Sequence, residues 1–295
     1  MSRRTKAELF LLSCTMIWGG TFPIVKTGLD DVPPILFVAL RFALATLLFL
    51  PFVAKSLGGM SKATLKGGII IGVLLFIGFV TQTVGLQYTT ASKSGFITGL
   101  LVVFTPIFQI LIERKAPTLG NIIGVLLVTA GLYFLTSPDG SEFNKGDALV
   151  LVCAAVFGLY IVFLDIVSKE GNVWHLSFIQ FAITAVGAGV GSLLFEHLFI
   201  KMTTGFIAAL SYLTVLATLY TLTIQTRFQK DTSPTRAAVI FSIEPVFAAI
   251  FSFLFLGERI GASGIAGGGL VVGGLLVSEL SGVLFRKGRH SGAEA

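Results

Sequence analysis

Ten long apolar runs dominate this 295-residue chain and constrain its fold more than any other feature. A helix needs roughly 20 mostly apolar residues to cross a hydrocarbon core about 30 Å thick. Short polar or turn-rich connectors separate the runs, and KSLGGMSKATLK and TRFQKDTSPTR are two clear examples. The sequence therefore predicts an all-α integral membrane protein with ten transmembrane helices. The runs cover residues 8–28, 34–54, 67–87, 94–112, 119–136, 147–167, 174–195, 203–225, 236–256 and 262–284.

The composition argues against a water-soluble protein. Charged residues make up 12% of the chain, against about 25% in a typical soluble domain, which leaves too few to cover a surface of this size. A soluble protein with an unusually large core is the alternative, but it would not need repeated runs of membrane-spanning length. The basic start MSRRTKAELF suggests a signal peptide. No cleavage pattern follows it, so we expect a retained first helix.

The distribution of lysine and arginine predicts the orientation, because cytoplasmic connectors are enriched in these residues. With a cytoplasmic N-terminus, the inner side holds fifteen of the 21 basic residues and the outer connectors hold four. Lys26 and Arg41 remain within predicted helices. We therefore expect a multi-pass protein of the plasma (inner) membrane with both termini in the cytoplasm. The net charge of +6 also fits nucleic-acid binding, but the chain has no long soluble segment to perform it.

Two stretches of the chain repeat one pattern. Residues 94–135 and 233–279 each begin with small and polar residues, continue with an apolar run around one proline, and end with a glycine-spaced run. A connector that contains Glu-Arg separates the two runs in each case. We expect one five-helix repeat at 1–140 and a second at 141–295. Because five is odd, the second repeat is inverted in the membrane relative to the first, as in many transporters.

The separation between equivalent residues changes along the two repeats. Pro106 and Pro245 are 139 residues apart, whereas Gly124 and Gly267 are 143 apart. The difference of four residues is about one helical turn. Alignment through the prolines places Thr105 in the first repeat where Glu244 stands in the second.

Five segments in order resemble the EamA-type ten-helix family of the drug/metabolite transporter superfamily. The resemblance covers most of the chain and implies a carrier with a central cavity between two five-helix halves, working by alternating access. Members of the family move amino acids, metabolites, sugars and drugs, so the resemblance does not specify a substrate. The segments are IWGGTFPIVK (17–26), ALRFALATLLFLP (39–51), VGLQYTTASKSGFITGLLVVFTP (84–106), IEPVFAAIFSFLFLGERI (243–260) and GGGLVVGGLLV (267–277).

Glu244 and Pro245 interrupt the apolar stretch IFSIEPVFAAIF (240–251). A charge at the centre of a membrane helix costs about 2.5–3.5 kcal/mol on insertion scales, so such residues suggest a function. Three roles are open for Glu244: binding a cationic substrate group or a coupling proton, pairing with a basic residue, or satisfying backbone groups freed by Pro245. Arg41 is the main candidate partner, although counting along the helices places it nearer the outer face. Alternatively, Arg41 snorkels outward or receives an anionic substrate.

Other residues in the predicted helices have side chains suited to a substrate cavity, in which aromatic rings form walls and polar groups orient the ligand. For the aromatic residues, ordinary packing against lipid or neighbouring helices is the alternative. Four further glutamines also have side chains that can orient a ligand, namely Gln87, Gln109, Gln180 and Gln225. The substrate-binding candidates are Trp18, Phe22, Arg41, Gln82, Ser94, Thr98, Phe104, Tyr160, Tyr220 and Glu244.

Three prolines within the apolar runs are hinge candidates, since proline removes a helix hydrogen bond and favours a kink. They are Pro23, Pro106 and Pro245. A kink of fixed shape is the alternative to a moving hinge.

Enzyme motifs are lacking: the sequence contains no HExxH pattern, no phosphate-binding loop, and only three histidines at or beyond predicted helix ends. We expect no catalytic residues, no metal and no cofactor. The predicted function is secondary transport of small organic metabolites, such as amino acids, with export as the expected direction. The expected partners are the lipid bilayer, the substrate and a coupling proton. An intramembrane enzyme acting on lipid and a non-transporting membrane scaffold stay open as alternatives.

Overall fold

The computed structural model describes residues 2–136, 142–256 and 261–287, and the regular secondary structure in these ranges is helical throughout. The predicted repeat boundary at 140, the Gly-Glu-Arg connector at 257–259 and residues 288–295 lie outside the described residues. The α-helices are, in chain order, α1 (Arg3–Trp18), α2 (Thr21–Gly28), α3 (Pro34–Val53), α4 (Lys62–Leu86), α5 (Ala91–Gly99), α6 (Leu101–Glu113), α7 (Leu119–Thr136), α8 (Lys145–Glu170), α9 (Val173–Phe195), α10 (Thr204–Thr214), α11 (Thr221–Phe228), α12 (Pro234–Phe241), α13 (Glu244–Leu256) and α14 (Ala262–Lys287).

Seven helical stretches in the described part of the chain are long and apolar enough to cross a membrane. Some of them combine two consecutive helices, as in Arg3–Gly28, which contains α1 and α2. Two shorter apolar helices, Leu119–Leu135 and Ala262–Ser278, accompany them. The chain is therefore all-helical with the properties of a membrane protein, and the count of ten crossings stays a prediction.

The distribution of polar and apolar side chains fits a lipid surround. Large apolar side chains are exposed on the outside, for example Phe52 at 70%, Leu193 at 71% and Phe195 at 79%. In contrast, polar side chains such as Gln180 and Thr184 are fully buried between helices. Exposed apolar surface of this extent is unfavourable in water, whereas lipid tails accommodate it.

Four of the predicted apolar runs are not single α-helices. The run 203–225 contains a π-helical segment, Val215–Tyr220, between α10 and α11. The other three runs are broken, at Gly19 and Gly20 between α1 and α2, at Leu100 between α5 and α6, and at Ser242 and Ile243 between α12 and α13.

The three breaks lie close together in the fold. The Ser242 hydroxyl donates to the carbonyl oxygen of Ala238 across 2.9 Å and also lies 3.4 Å from the carbonyl oxygen of Gly99, so the break in α12–α13 contacts the break in α5–α6. Gly19 approaches the first turn of α13 so closely that a Cβ there would lie 3.0 Å from the carbonyl oxygen of Glu244. Glycine at this position therefore permits the contact between α1 and α13.

Two of the three prolines do not interrupt a helix, which corrects the expectation of three proline kinks. Pro23 is the third residue of α2 and Pro245 the second residue of α13. Their missing N–H groups fall in the first helical turn, where no intrahelical partner is needed. Of the three hinge candidates, only Pro106 lies in the interior of a helix, α6.

Helices α7 and α14 form the most extensive helix pair in the described part of the chain. Gly124 faces Gly274, and Gly131 faces Gly267. A Cβ on Gly131 would lie 2.7 Å from the carbonyl oxygen of Gly267. Small residues thus allow the two backbones to touch, as is common between helices in lipid.

The helix starts correct the alignment of Glu244. Helices α6 and α13 each contain 13 residues and begin at Leu101 and Glu244, which are 143 positions apart. This separation equals that between Gly124 and Gly267. By its place in the helix, Glu244 therefore corresponds to Leu101, and not to Thr105 as the alignment through the prolines indicated.

Candidate functional site

A cavity lies between helices of the N-terminal and C-terminal halves of the chain. It contains about 780 Å³ of empty space, including the part at its mouth. Its lining is mostly apolar with a few polar groups, as is usual for small-molecule sites. Its walls are formed by Trp18, Thr21, Phe22, Val25, Arg41, Leu75, Phe79, Gln82, Thr83, Leu86, Thr98, Leu101, Phe157, Tyr160, Ile161, Leu222, Gln225, Phe241 and Glu244.

Glu244 lines this cavity as the first residue of α13, directly after the break that follows α12. Its side chain is partly exposed to the cavity. It forms no hydrogen bond or ion pair with any residue in the described ranges. A carboxylate in a mostly apolar cavity without a protein partner is costly, so it is a strong candidate to bind a cationic group or a proton.

Arg41 lines the same cavity but is held by the π-helical segment. Its Nε donates to the Thr218 hydroxyl across 2.5 Å, and its Nη2 donates to the carbonyl oxygen of Ala217 across 2.8 Å. The guanidinium also lies over the Phe79 ring, 4.7 Å from the ring centroid. A π-helical turn alters the local i to i−4 bonding and leaves carbonyl groups accessible, which Arg41 uses here.

The predicted pair between Arg41 and Glu244 is not formed among the described contacts. The two side chains share the cavity wall, but Arg41 takes its partners from Ala217 and Thr218. The local backbone offers fixed acceptors within reach of the planar guanidinium, so Arg41 does not need the carboxylate. Arg41 is also 6% exposed, which does not fit outward snorkelling.

Aromatic side chains form much of the apolar wall. Trp18 packs edge-on against Phe241, with ring centroids 5.4 Å apart. The indole Nε1 of Trp18 donates to the carbonyl oxygen of Ala217 across 3.1 Å, so the same carbonyl binds both Trp18 and Arg41. Phe22 also lines the cavity. Rings of this kind provide apolar contact and a negative π face for a ligand.

Three predicted polar candidates contribute to the wall. The Gln82 Nε2 donates to the Thr98 hydroxyl across 3.2 Å, which joins α4 to α5. The Tyr160 hydroxyl donates to the Gln180 Oε1 across 2.8 Å. These hydrogen bonds hold the side chains in place before any ligand binds, which reduces the entropy lost on binding.

The structure places the other three candidates away from the cavity lining. Ser94 is fully buried near the start of α5. Phe104 packs on Gly158 of α8, and Tyr220 is 37% exposed and contacts the Ser13 hydroxyl at 3.0 Å. Helix rotation decides these placements, and residue type alone does not reveal it.

Several wall residues are not among the substrate-binding residues predicted from the sequence. Phe79, Phe157 and Phe241 are three of 27 phenylalanines, and nothing in their sequence context separates them from the rest. Gln225, named only among the further glutamines, also lines the wall. Its position in an apolar run was the available signal, since buried amides in membrane helices need partners.

The chain is similar to a family of transporters and to proteins described as uncharacterized transporters. The model of the EamA-like transporter family matches residues 5–137 and again 144–280. An uncharacterized transporter of Archaeoglobus fulgidus is 37% identical over 257 residues, which cover 87% of this chain and 80% of that protein. The uncharacterized transporter YoaV of Bacillus subtilis is 28% identical, covering 94% and 97%. A solved crystal structure superposes with a TM-score of 0.76 at 17% identity, over 94% of this chain and 97% of that one, and so shows the fold alone.

Proposed function

Since this chain belongs to the EamA-like transporter family, as its sequence resemblance indicated, we propose that it is a secondary transporter of a small organic metabolite. The substrate crosses the plasma membrane through the cavity that contains Glu244 and Arg41. Export is the expected direction. Amino acids and related compounds are the expected substrates.

The observation that carries this proposal is the composition of the cavity wall. Phe22, Arg41 and Gln82 come from the first region that the family model matches, and Tyr160 and Glu244 come from the second. A site formed by both regions changes its accessibility when one region moves against the other, as alternating access requires. Polar groups in this wall are few and already oriented, which favours binding over bond-making chemistry.

The proposed architecture has ten crossings in two inverted five-helix repeats, 1–140 and 141–295. Two observations support it. The family model matches the chain twice. With the offset of 143 between the two halves, Gly124 is equivalent to Gly267, and Gly131 is equivalent to Gly274. The contacts Gly124–Gly274 and Gly131–Gly267 are therefore equivalent to each other, as a two-fold axis between α7 and α14 would require. The basic residues favour cytoplasmic termini.

With this orientation, we propose that the cavity opens to the outside. The wall residues Val25 and Leu86 lie at the ends of α2 and α4 that the orientation places outside. At the opposite end, Phe10 stacks on Phe228 with centroids 4.3 Å apart, and Glu8 lies 3.5 Å from Arg236. These contacts join the two halves on the cytoplasmic side, and they must separate in the inward-facing state.

Transport by the purified full-length protein in vesicles tests this proposal. Saturable uptake or exchange of one compound from a panel of radiolabelled amino acids and related metabolites is the expected result. Formation of a lipid product without flux would favour the intramembrane enzyme instead. Neither flux nor product across the panel would favour the scaffold.

The variant Glu244→Gln tests whether transport is coupled to protons. This substitution keeps the size of the side chain and removes its ability to ionise. A variant that remains folded but has lost transport, or the pH dependence of transport, supports the coupling role. Wild-type flux with unchanged pH dependence would eliminate it.

A further inference from the structure

Two chains of hydrogen bonds end at the cavity wall. In each chain, the backbone carbonyl at the end away from the cavity fixes which atoms donate and which accept. In the first chain, the Thr226 hydroxyl donates to the carbonyl oxygen of Leu222 across 2.6 Å. A hydroxyl has one proton, so the Thr226 oxygen must accept from Gln180 Nε2, 3.0 Å away. The Gln180 Oε1 then faces Tyr160, whose hydroxyl donates to it across 2.8 Å. Tyr160 therefore has only acceptor lone pairs left for the cavity.

The second chain begins at the carbonyl oxygen of Ile161. The Gln229 Nε2 donates to it across 2.5 Å, so the Gln229 Oε1 is left as an acceptor. The Gln225 Nε2 donates to this oxygen across 2.9 Å. The amide of Gln225 is thereby fixed, because the reverse orientation would bring two oxygens together. Its own Oε1 is buried and accepts no hydrogen bond from the described residues.

Several groups in the polar part of the wall have acceptor oxygens for a ligand. Glu244 adds a carboxylate to the acceptors of Tyr160 and Gln225. Arg41 is the cationic donor in the wall. Its Nε and one N–H of Nη2 are bound to Thr218 and Ala217, and the other three N–H groups of the guanidinium form no hydrogen bond with the described residues. A buried acceptor without a donor is unfavourable by about 1–3 kcal/mol, so a ligand that supplies donors is preferred.

We propose, building on the transport function proposed above and replacing amino acids by amines as its expected substrates, that the substrate is an organic amine bound through its protonated nitrogen. An ammonium group has a positive charge for Glu244 and N–H donors for the acceptor lone pairs of Tyr160. The remainder of the substrate is apolar, and it packs against the rings of Trp18 and Phe241. A carboxylate ligand could bind only the remaining N–H groups of Arg41, and it would share the wall with the Glu244 carboxylate, so we expect it to bind more weakly than the amine.

The direct test compares ligands that share one ring and differ in their head group. The probes are 2-phenylethylamine, 3-phenylpropionate and 2-phenylethanol, titrated into the purified protein in nanodiscs. The chain has two tryptophans, and Trp174→Phe removes the exposed one, so that fluorescence reports on Trp18 alone. Calorimetry provides a second measurement. We expect saturable binding of the amine, at least about tenfold tighter than binding of the carboxylate, because a charged hydrogen bond is gained.

Three variants examine the named atoms. Glu244→Gln should weaken binding of the amine about tenfold or more, and Tyr160→Phe should weaken it a few-fold, in line with charged and neutral hydrogen bonds. Asp30→Asn is the matched control, since it removes one carboxylate from an exposed loop position outside the cavity. Its affinity should equal that of the parent protein. Thermal melting of each variant establishes that it is folded.

The outcomes separate this inference from the transport proposal. Preferential binding of phenylpropionate, or equal binding of all three probes, would overturn the amine assignment, as would no amine binding at all. Amine affinity that is unchanged in a folded Glu244→Gln protein would also overturn it. Vesicle flux is measured independently: an amine that binds but never crosses leaves the assignment standing and contradicts transport. Transport of a carboxylate would support the transport proposal and contradict the amine assignment.

Discussion

Gly124 and Gly274 touch backbone to backbone: a Cβ built on either one would lie 2.8 Å from the carbonyl oxygen of the other. The contact lies in the pair formed by α7 and α14 and is repeated by Gly131 and Gly267. In lipid, helices gain little from hydrophobic burial, so close van der Waals contact of this kind holds them together.

Gly124→Ala and Gly274→Ala should therefore destabilise the protein. Each added methyl group meets backbone on a helix that cannot yield locally, and overpacking of this type costs about 1–3 kcal/mol. Thermal melting in detergent measures the loss. Gly273→Ala is the control, because a Cβ at Gly273 meets no atom within 4 Å. Equal melting temperatures for the Gly274 and Gly273 variants would contradict the proposed role of the glycine contacts.

Arg41→Lys should destabilise the π-helical segment although the charge is retained. The ammonium group lacks the planar fork that reaches both Ala217 and Thr218, and the lost hydrogen bonds correspond to about 1–3 kcal/mol. The melting temperature is the measurement. Arg227→Lys serves for comparison, since Arg227 is exposed on α11. If the two lysine variants melt alike, the bonds from Arg41 to the segment contribute nothing to stability.

The ion pair between Lys93 and Asp147 should be one of the strongest polar ties between α5 and α8. Its atoms are 2.7 Å apart, and the Asp147 side chain is fully buried. Asp147 also accepts from the Thr89 hydroxyl across 2.6 Å. Asp147→Ala leaves Lys93 without this partner and should cost about 3–5 kcal/mol.

The pair between Lys115 and Glu113, in which the lysine is exposed and the carboxylate is 8% exposed, provides the comparison. The Lys115 side chain is 66% exposed and its nitrogen lies 3.5 Å from the Glu113 carboxylate. Lys115→Ala should change stability by no more than about 1 kcal/mol, because solvent screens such pairs. The free energy of unfolding compares the two variants. Similar losses at both positions would refute the importance of burial.

Labelling of single cysteines checks the proposed orientation. The native Cys14 and Cys153 are both buried, so their background reaction should be low. A membrane-impermeant maleimide added to intact cells should modify Glu142→Cys and spare Lys62→Cys, and both positions are exposed. Permeabilised cells should show labelling at both. Reaction at position 62 alone in intact cells would invert the orientation.

Much of the fold is predictable because hydropathy depends on local composition. Each of the ten apolar runs is mainly helical where the structure describes it, although three of them contain a break. The glycines chosen from their spacing do meet, as Gly131 and Gly267 show. Glu244 is recognisable from sequence for the same reason, since a carboxylate in an apolar run is rare at any depth in lipid.

The breaks were harder to foresee. Proline indicates the position of a helix break only approximately. The sequence shows Pro23 and Pro245, but it does not show that one helix ends and the next begins just before each of them. Leu100, at the break between α5 and α6, is not a residue that ends helices. Contacts between neighbouring helices, such as that between Ser242 and Gly99, stabilise the broken form.

By itself, the sequence determined the class of protein, the helical segments and the presence of an unusual carboxylate. Only the tertiary structure decided that Arg41 binds Ala217 and not Glu244, that Gln225 keeps an unpaired acceptor, and that Phe104 packs on a neighbouring helix. The physical reason is that lipid imposes the same apolar requirement on every spanning helix. Rotation about each helix axis and the direction of each hydrogen bond depend on neighbours that are distant along the chain.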